Sequence, residues 1–339
     1  MRKFLLFFMV LLLITAAHGK KIAQLVELSR PQLMEVENDK LFVTEGVNIY
    51  IYSLKNFSLI KKFGKDGEGP REFKINPFGV GQLLIAVYNN NLYVNSHGKL
   101  SYFTLEGEFI KEIKVPPFQV FLPAKDKFAA SGMAPGQGNQ FLLTVGLYDT
   151  NFKQLKELYR SDMTVGPSAS FNFPTAIFLY YPYKDRIYVA AGKEGFVIDV
   201  FDLQGKRLYR IEKEYKPLKV PENYREQILQ WFQKSPRFKQ IFDFFKDRIS
   251  FDSHFPAMQS MIVDNGKIYV LTYRQKNGLT ELIIMDLKGK ELGRKYVVVV
   301  GMAGNFFEPP IHTIDTDNYY TLIENEDEEI WELHRTNLK

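Results

Sequence analysis

Arg186-Ile187-Tyr188-Val189, then Phe196-Val197-Ile198-Asp199-Val200-Phe201-Asp202-Leu203, Gln204-Gly205-Lys206 and Arg207-Leu208-Tyr209-Arg210-Ile211 set out one structural unit in full. An aliphatic-aromatic-aliphatic strand is followed by a second strand that ends on Asp-Leu. A Gly-containing tight turn then leads to a third strand. The same order recurs along the chain. Leu41-Phe42-Val43 leads to 49–54, Asn56 and 57–63. Leu92-Tyr93-Val94 leads to 100–105, Gly107 and 109–115. Phe128-Ala129-Ala130 leads to 141–149, Asn151 and 152–159. Ile268-Tyr269-Val270 leads to 282–287, Gly289 and 291–300, and Tyr319-Tyr320-Thr321 leads to 330–333, where the chain is nearly finished. With 186–211 that makes six copies, and the first four tight turns are spaced by about one propeller blade. An upstream strand completes the unit, at 83–88, 120–123, 176–180 and 261–264.

Four short antiparallel strands per repeat define a blade, so the fold class is all-β, a six-bladed β-propeller with four-stranded antiparallel blades. The ends favour a closed ring over an open stack or paired sandwiches. The sixth copy stops where the others turn into their outer strand, and 22–28 (Ile22-Ala23-Gln24-Leu25-Val26-Glu27-Leu28) is a spare strand that can supply that edge. The many aromatic residues, 19 Tyr and 29 Phe, suit such half-buried pleated surfaces.

Residues outside the repeat set the remaining organisation. Arg2 and Lys3, the apolar run 4–14 and the small residues before Lys20 form a secretory signal peptide over 1–19, leaving 20–339 as the propeller. The run is short for a membrane span, and no span is expected after cleavage. The destination is periplasmic or extracellular. The chain has no cysteine, which excludes a Cys-linked lipid anchor and disulfide bracing. Losing Arg2 and Lys3 lowers the formal charge from +5 to about +3, with both signs interspersed, so no nucleic-acid surface is expected and a monomer is.

About 221–250 the strand pattern breaks. Tyr224, Ile228, Leu229, Trp231 and Phe232, then Phe238, Ile241, Phe242, Phe245 and Ile249, fit two helical stripes on either side of Ser235-Pro236. The expectation is a helical hairpin between blades 4 and 5, packed on the propeller or acting as a lid.

The stretch Phe63-Gly64-Lys65-Asp66-Gly67-Glu68-Gly69-Pro70-Arg71-Glu72-Phe73, continuing to Asn76-Pro77-Phe78-Gly79-Val80, resembles the blade linker of NHL-repeat proteins, with Phe73 as a plug between blades. A worn second copy runs from Gly301-Met302-Ala303-Gly304 through Phe307 to Pro309-Pro310. The stretch 255–270 resembles the TolB-like six-bladed families. This resemblance implies an exported bacterial propeller and assigns it no activity, because a fold does not carry a function with it.

Motifs for chemistry are sparse. His97, His254, His312 and His334 have no metal-ligand spacing, and no Gly-x-Ser-x-Gly elbow occurs. Gly132 to Gly138 lacks the Gly-Lys-Ser/Thr end of a phosphate loop and reads as a flexible loop, and the acidic run 324–329 reads as a solvated turn. The expectation is a non-catalytic binding or scaffold propeller with no catalytic residues, metal or cofactor. Its loop face, near Glu45, His97, Gly136, Lys193 and Arg274, would recognise a protein, peptide or glycan. The candidate ligand-binding residues are His97, Lys193, Trp231, His254, Arg274 and His312. The alternative is a propeller hydrolase or lyase, with His97, His254 and His312 converging at the mouth of the central channel.

Overall fold

The computed structural model describes residues 19–75, 82–117, 119–137, 141–165, 170–175, 178–192, 194–305 and 307–339, without the side chains of 162–165. Six four-stranded antiparallel sheets follow one another along the chain. Their innermost strands, Leu33–Glu37, Leu84–Tyr88, Val120–Ala124, Leu179–Tyr183, Ser260–Asp264 and His312–Asp315, each contact the next, and the last contacts the first. The ring is therefore closed. The second and third strands of the blades are mostly buried on both faces, as in Lys40–Glu45 and Asn48–Ser53, except for the third strand of blade 6, Ile330–Asn337. That is why they read as continuous apolar runs. The outer strands alternate, as in Leu59–Phe63.

The core lies between blades. One apolar cluster fills each of the six junctions, such as Phe42, Ile51 and Phe103 between blades 1 and 2 and Ile198, Val270 and Met285 between blades 4 and 5. Phe73 is fully buried in the first of these, the plug position its linker predicts. Its backbone is held on Lys65 and Gly67, and Lys99 Nζ donates to the carbonyls of Gly69 and Glu72 at 2.9 and 2.7 Å. The Asn76 to Val80 part of the motif lies outside the described residues.

Closure uses the spare N-terminal strand. Lys20–Leu25 is the outer strand of blade 6 and runs antiparallel to Ile330–Asn337, with Ala23 opposite Leu333 and Leu25 opposite Trp331. Leu25 and Leu28 are buried between blades 6 and 1, and Lys21 pairs with Glu332 at 2.9 Å.

Antiparallel order places the first-to-second and third-to-fourth turns on one, lower face and the second-to-third turns, such as Asn277-Gly278, on the other. Between first and second strands, Asn38-Asp39, Asn89-Asn90, Asn265-Gly266 and Thr316-Asp317 have positive φ at both positions, the geometry that matches strand twist in two-residue hairpins. Between third and fourth strands, Asp202 Oδ1 accepts from the backbone N–H of Gln204 and Lys206, and Asp149 and Asp286 do the same in their own turns. This explains the Asp before the Asn151, Gly205 and Gly289 turns; Thr104 Oγ1 accepts in the same way before Gly107. The opposite, upper face carries the longer connections between blades.

Four expectations need correction. The second half of the insert is not a regular helix. Helix α1 spans Tyr224–Lys234, but beyond Ser235 the chain makes turns, then a four-residue helix, Phe242–Phe245, and a 3₁₀ turn, Lys246–Arg248. Phe238 and Ile241 donate to carbonyls three residues back, so the segment buries its phenylalanines through tight turns. The inner strand of blade 4 is Leu179–Tyr183, later than 176–180, because its register is fixed by the turn pairing Tyr183 with Arg186. Residues 132–135 are not loop; they extend the strand Lys127–Pro135, with Gly132 opposite Thr144. The strand in 291–300 ends at Val297, where the chain leaves the sheet for the blade 5–6 connection.

Candidate functional site

The insert does not lie loose on the ring. Leu218–Lys219 pairs with His254–Phe255, and Ile249–Phe251 runs parallel to Phe171–Phe173. Tyr224, Ile228 and Phe232, spaced by four, turn one face of α1 into a cluster with Phe173, Phe255, Tyr273 and Phe307. Ile241 and Phe244 remain outside it and face solvent. The blade 5–6 connection is pressed against α1. Tyr224 Oη donates to the Ala303 carbonyl at 2.8 Å. Gly304 sits at φ +73°, where an added Cβ would lie 2.5 Å from Pro174.

Between this clamped insert and blades 6 and 1 is a crevice of about 450 Å³. It lies within the roughly 300–1,000 Å³ of small-molecule sites. Four separate stretches and Gln82 build it: Arg30–Gln32, α1 with the following turn, the connection 300–311, and the Leu322, Glu324 and Trp331 positions of blade 6. The chain has two tryptophans, and both line this crevice. Trp231 stacks on Phe307 with ring centroids 6.0 Å apart and planes 12° apart, and its Nε1 donates to Glu308 at 2.7 Å. Trp331 Nε1 donates to the Ser29 carbonyl at 3.1 Å. Both indole planes are thereby fixed. The Arg237 guanidinium lies 4.9 Å from the Phe238 ring centre and 5.9 Å from that of Phe307, and burial holds its pKa below the usual arginine value. Arg30 approaches Glu308 at 3.6 Å. Aromatic and guanidinium groups held this way, with polar acceptors beside them, are the usual composition of an energetic binding centre.

The six residues picked from sequence separate. Trp231 is in the crevice. His312 follows Ile311 of the crevice wall but does not itself line the crevice. Its Nε2 accepts from Ser260 Oγ at 2.9 Å while Nδ1 faces the Pro310 carbonyl at 3.2 Å, and its ring stacks on Tyr319. Burial pushes its pKa down to about 4, so it is a neutral packing group. His97 occupies the upper turn of blade 2, with its backbone N–H on the Lys74 carbonyl. His254 is exposed and bonded to Ser253 Oγ at 2.9 Å. Arg274 lies over the Tyr215 ring at 4.8 Å and donates to the Lys216 carbonyl. Lys193 lies outside the described residues. Among the described residues, no three His, Asp or Glu side chains are grouped to hold a metal ion.

Trp331, Glu308, Arg237 and Arg30 were not picked from sequence. Trp331 reads as an ordinary strand residue of the last copy, and Glu308 sits in what looks like a worn linker. The signal available was the scarcity of tryptophan; what joins the two is the placement of insert and last blade.

The innermost strands carry a second group of side chains, and it is acidic: Glu35, Glu37, Asp264 and Asp315. Glu35 receives a hydrogen bond from Thr313 Oγ1 at 3.1 Å, and enclosure pushes its pKa up to about 7. Towards the lower face, burial raises Glu37, Asp264 and Asp315, and repulsion from Asp264 adds to the rise at Glu37 and Asp315.

Comparison with known families agrees with the ring. A family described as 6-bladed beta-propeller, DUF5128, matches residues 24–233. The chain belongs to that family. The matched residues run from the closing strand through four blades and most of α1, so four of the six blades and the start of the insert fall within the matched pattern. No curated protein matches the chain.

Proposed function

We propose that this protein is a non-catalytic binding propeller of the cell envelope or secreted space, recognising a protein, peptide or glycan in the upper-face crevice. The observation that carries the reading is that four separate stretches bring both tryptophans, two arginines and two glutamates to one cavity of small-molecule size. Glu308 is engaged by the Trp231 indole and approached by Arg30, which makes it a fixed acceptor. The leader-like segment 1–19 supports export, in keeping with the exported propellers that 63–80 and 255–270 resemble. No helix among the described residues is long and apolar enough to cross a membrane.

A thermal-shift screen of peptides, saccharides and small metabolites tests the reading, with wild type beside an Arg237→Ala/Trp331→Ala double variant whose own melting is recorded. Ligands that stabilise wild type and not the folded variant support it. Ligands that stabilise both equally place the site elsewhere, and turnover of a bound ligand refutes the non-catalytic part. Mass spectrometry of exported protein should give a start near Lys20, and an intact Met1 would refute export by cleavage.

A further inference from the structure

Resting on the binding reading of the crevice, we infer that its ligand is a short, neutral oligosaccharide stacked on the indoles. Charge is the first argument. Arg30 and Arg237 are matched by Glu308 and Glu324 across one cavity, so no net field selects an anion or a cation. Affinity must then come from stacking and from hydrogen bonds in both directions. Carboxylates accept, guanidinium groups donate, and a sugar hydroxyl does both.

The second argument is backbone supply. A peptide bound in extended form draws affinity from an open strand edge. Here two strand positions of the wall are already paired: Gln32 N–H donates to Thr44 O at 2.8 Å and Leu322 N–H to Ile311 O at 3.3 Å. What the walls offer is side chains. The third argument is preorganisation. Each indole is pinned through its N–H, Trp231 on Glu308 and Trp331 on Ser29, so a flat ring is presented without an ordering cost. The C–H face of a pyranose is apolar with a slight positive edge, which suits the negative face of an indole.

Isothermal titration of the full exported chain tests this. The probes are cellohexaose, maltohexaose, xylohexaose and chitohexaose as neutral saccharides, tetragalacturonate as an anionic one, and an unstructured Gly/Ser/Tyr decapeptide. At least one neutral saccharide should bind. Its affinity should fall about tenfold or more in Trp331→Ala and recover most of the way in Trp331→Phe, which restores a stacking ring without the N–H. Raising salt should change it less than about threefold, as expected without net charge. Absence of binding by all four neutral probes overturns the inference. Trp331-dependent binding of tetragalacturonate or the decapeptide alone also overturns it but leaves the crevice as a binding site. Saccharide binding unaffected by Trp331→Ala, in protein that melts like wild type, overturns both.

Discussion

The two faces of the ring are built by different rules. On the lower face every described connection is a tight turn, held by positive-φ residues or by an Asp, Thr, Ser or Asn side chain that caps it. Nothing can be added there without breaking a hairpin's register. On the upper face, connections between blades vary from a few residues to the insert between blades 4 and 5. They are anchored by packing and need no fixed turn geometry. The repeat therefore leaves only the upper face free to gather unrelated side chains, and it is there that the tryptophan crevice forms. The lower face keeps the ring; the upper face departs from it.

The largest expected effect is on the ring itself. Removing Lys20–Arg30 strips the outer strand from blade 6 and takes Leu25 and Leu28 from the blade 6–1 junction. Each buried leucine lost costs about 2–5 kcal/mol, before the unpaired edge is counted. Circular dichroism melting should show the cooperative transition lowered by well over 10 °C or lost. Extension beyond the exposed Lys339 should leave the melting point unchanged. If the truncated chain melts like wild type, closure by this strand is wrong.

The acidic group on the innermost strands gives the next effect. Folded Glu35 ionises near 7 and unfolded Glu35 near 4.5. Between these values the folded state holds the extra proton, so this group's contribution to stability falls as pH rises and levels off above 7. His312 works the other way: it ionises near 4 when folded against 6.5 unfolded, so its contribution is lost as pH falls through that window. The two slopes oppose each other. Glu35→Gln keeps an acceptor for Thr313 and removes one slope. Urea denaturation should find the variant more stable at pH 8 by at most about 3 kcal/mol, with the advantage shrinking to nothing near pH 4.5. An advantage independent of pH would mean that Glu35 is not enclosed.

A smaller pair of substitutions compares the faces directly. Gly266, in a lower turn at φ +74°, has nothing within 4 Å of an added Cβ, whereas Gly304 meets Pro174 and the Tyr224 hydroxyl. Gly266→Ala should cost about 1 kcal/mol from backbone conformation alone. Gly304→Ala carries the same cost plus the displacement of the connection from α1, and should exceed it by about 1–2 kcal/mol. Equal losses in denaturant titration would mean that the upper connection is not clamped.

Sequence legibility follows the same division. The blades could be read because a strand buried on both faces must be apolar, and a tight turn must carry Gly, Asn or Asp, so Ile187-Tyr188-Val189 and Gly205 repeat in kind around the ring. The closing strand could be read because a blade without its fourth strand leaves an edge to fill. The crevice could not. Trp231 and Trp331 are a hundred positions apart, and only ring closure and the folding-back of 300–311 onto α1 bring them together. The turns after Ser235 were misread as helix because Phe238, Phe242 and Phe245 bury one side at a spacing that turns and helices share.

Tryptophan fluorescence tests the central claim, that the upper-face crevice is where this propeller binds, because both tryptophans of the chain lie there. Titration with a ligand found by thermal shift should give a saturable change in emission, with acrylamide quenching of both indoles reduced in the complex. A ligand that binds by calorimetry while emission and quenching stay unchanged would contradict the account and place recognition away from the crevice.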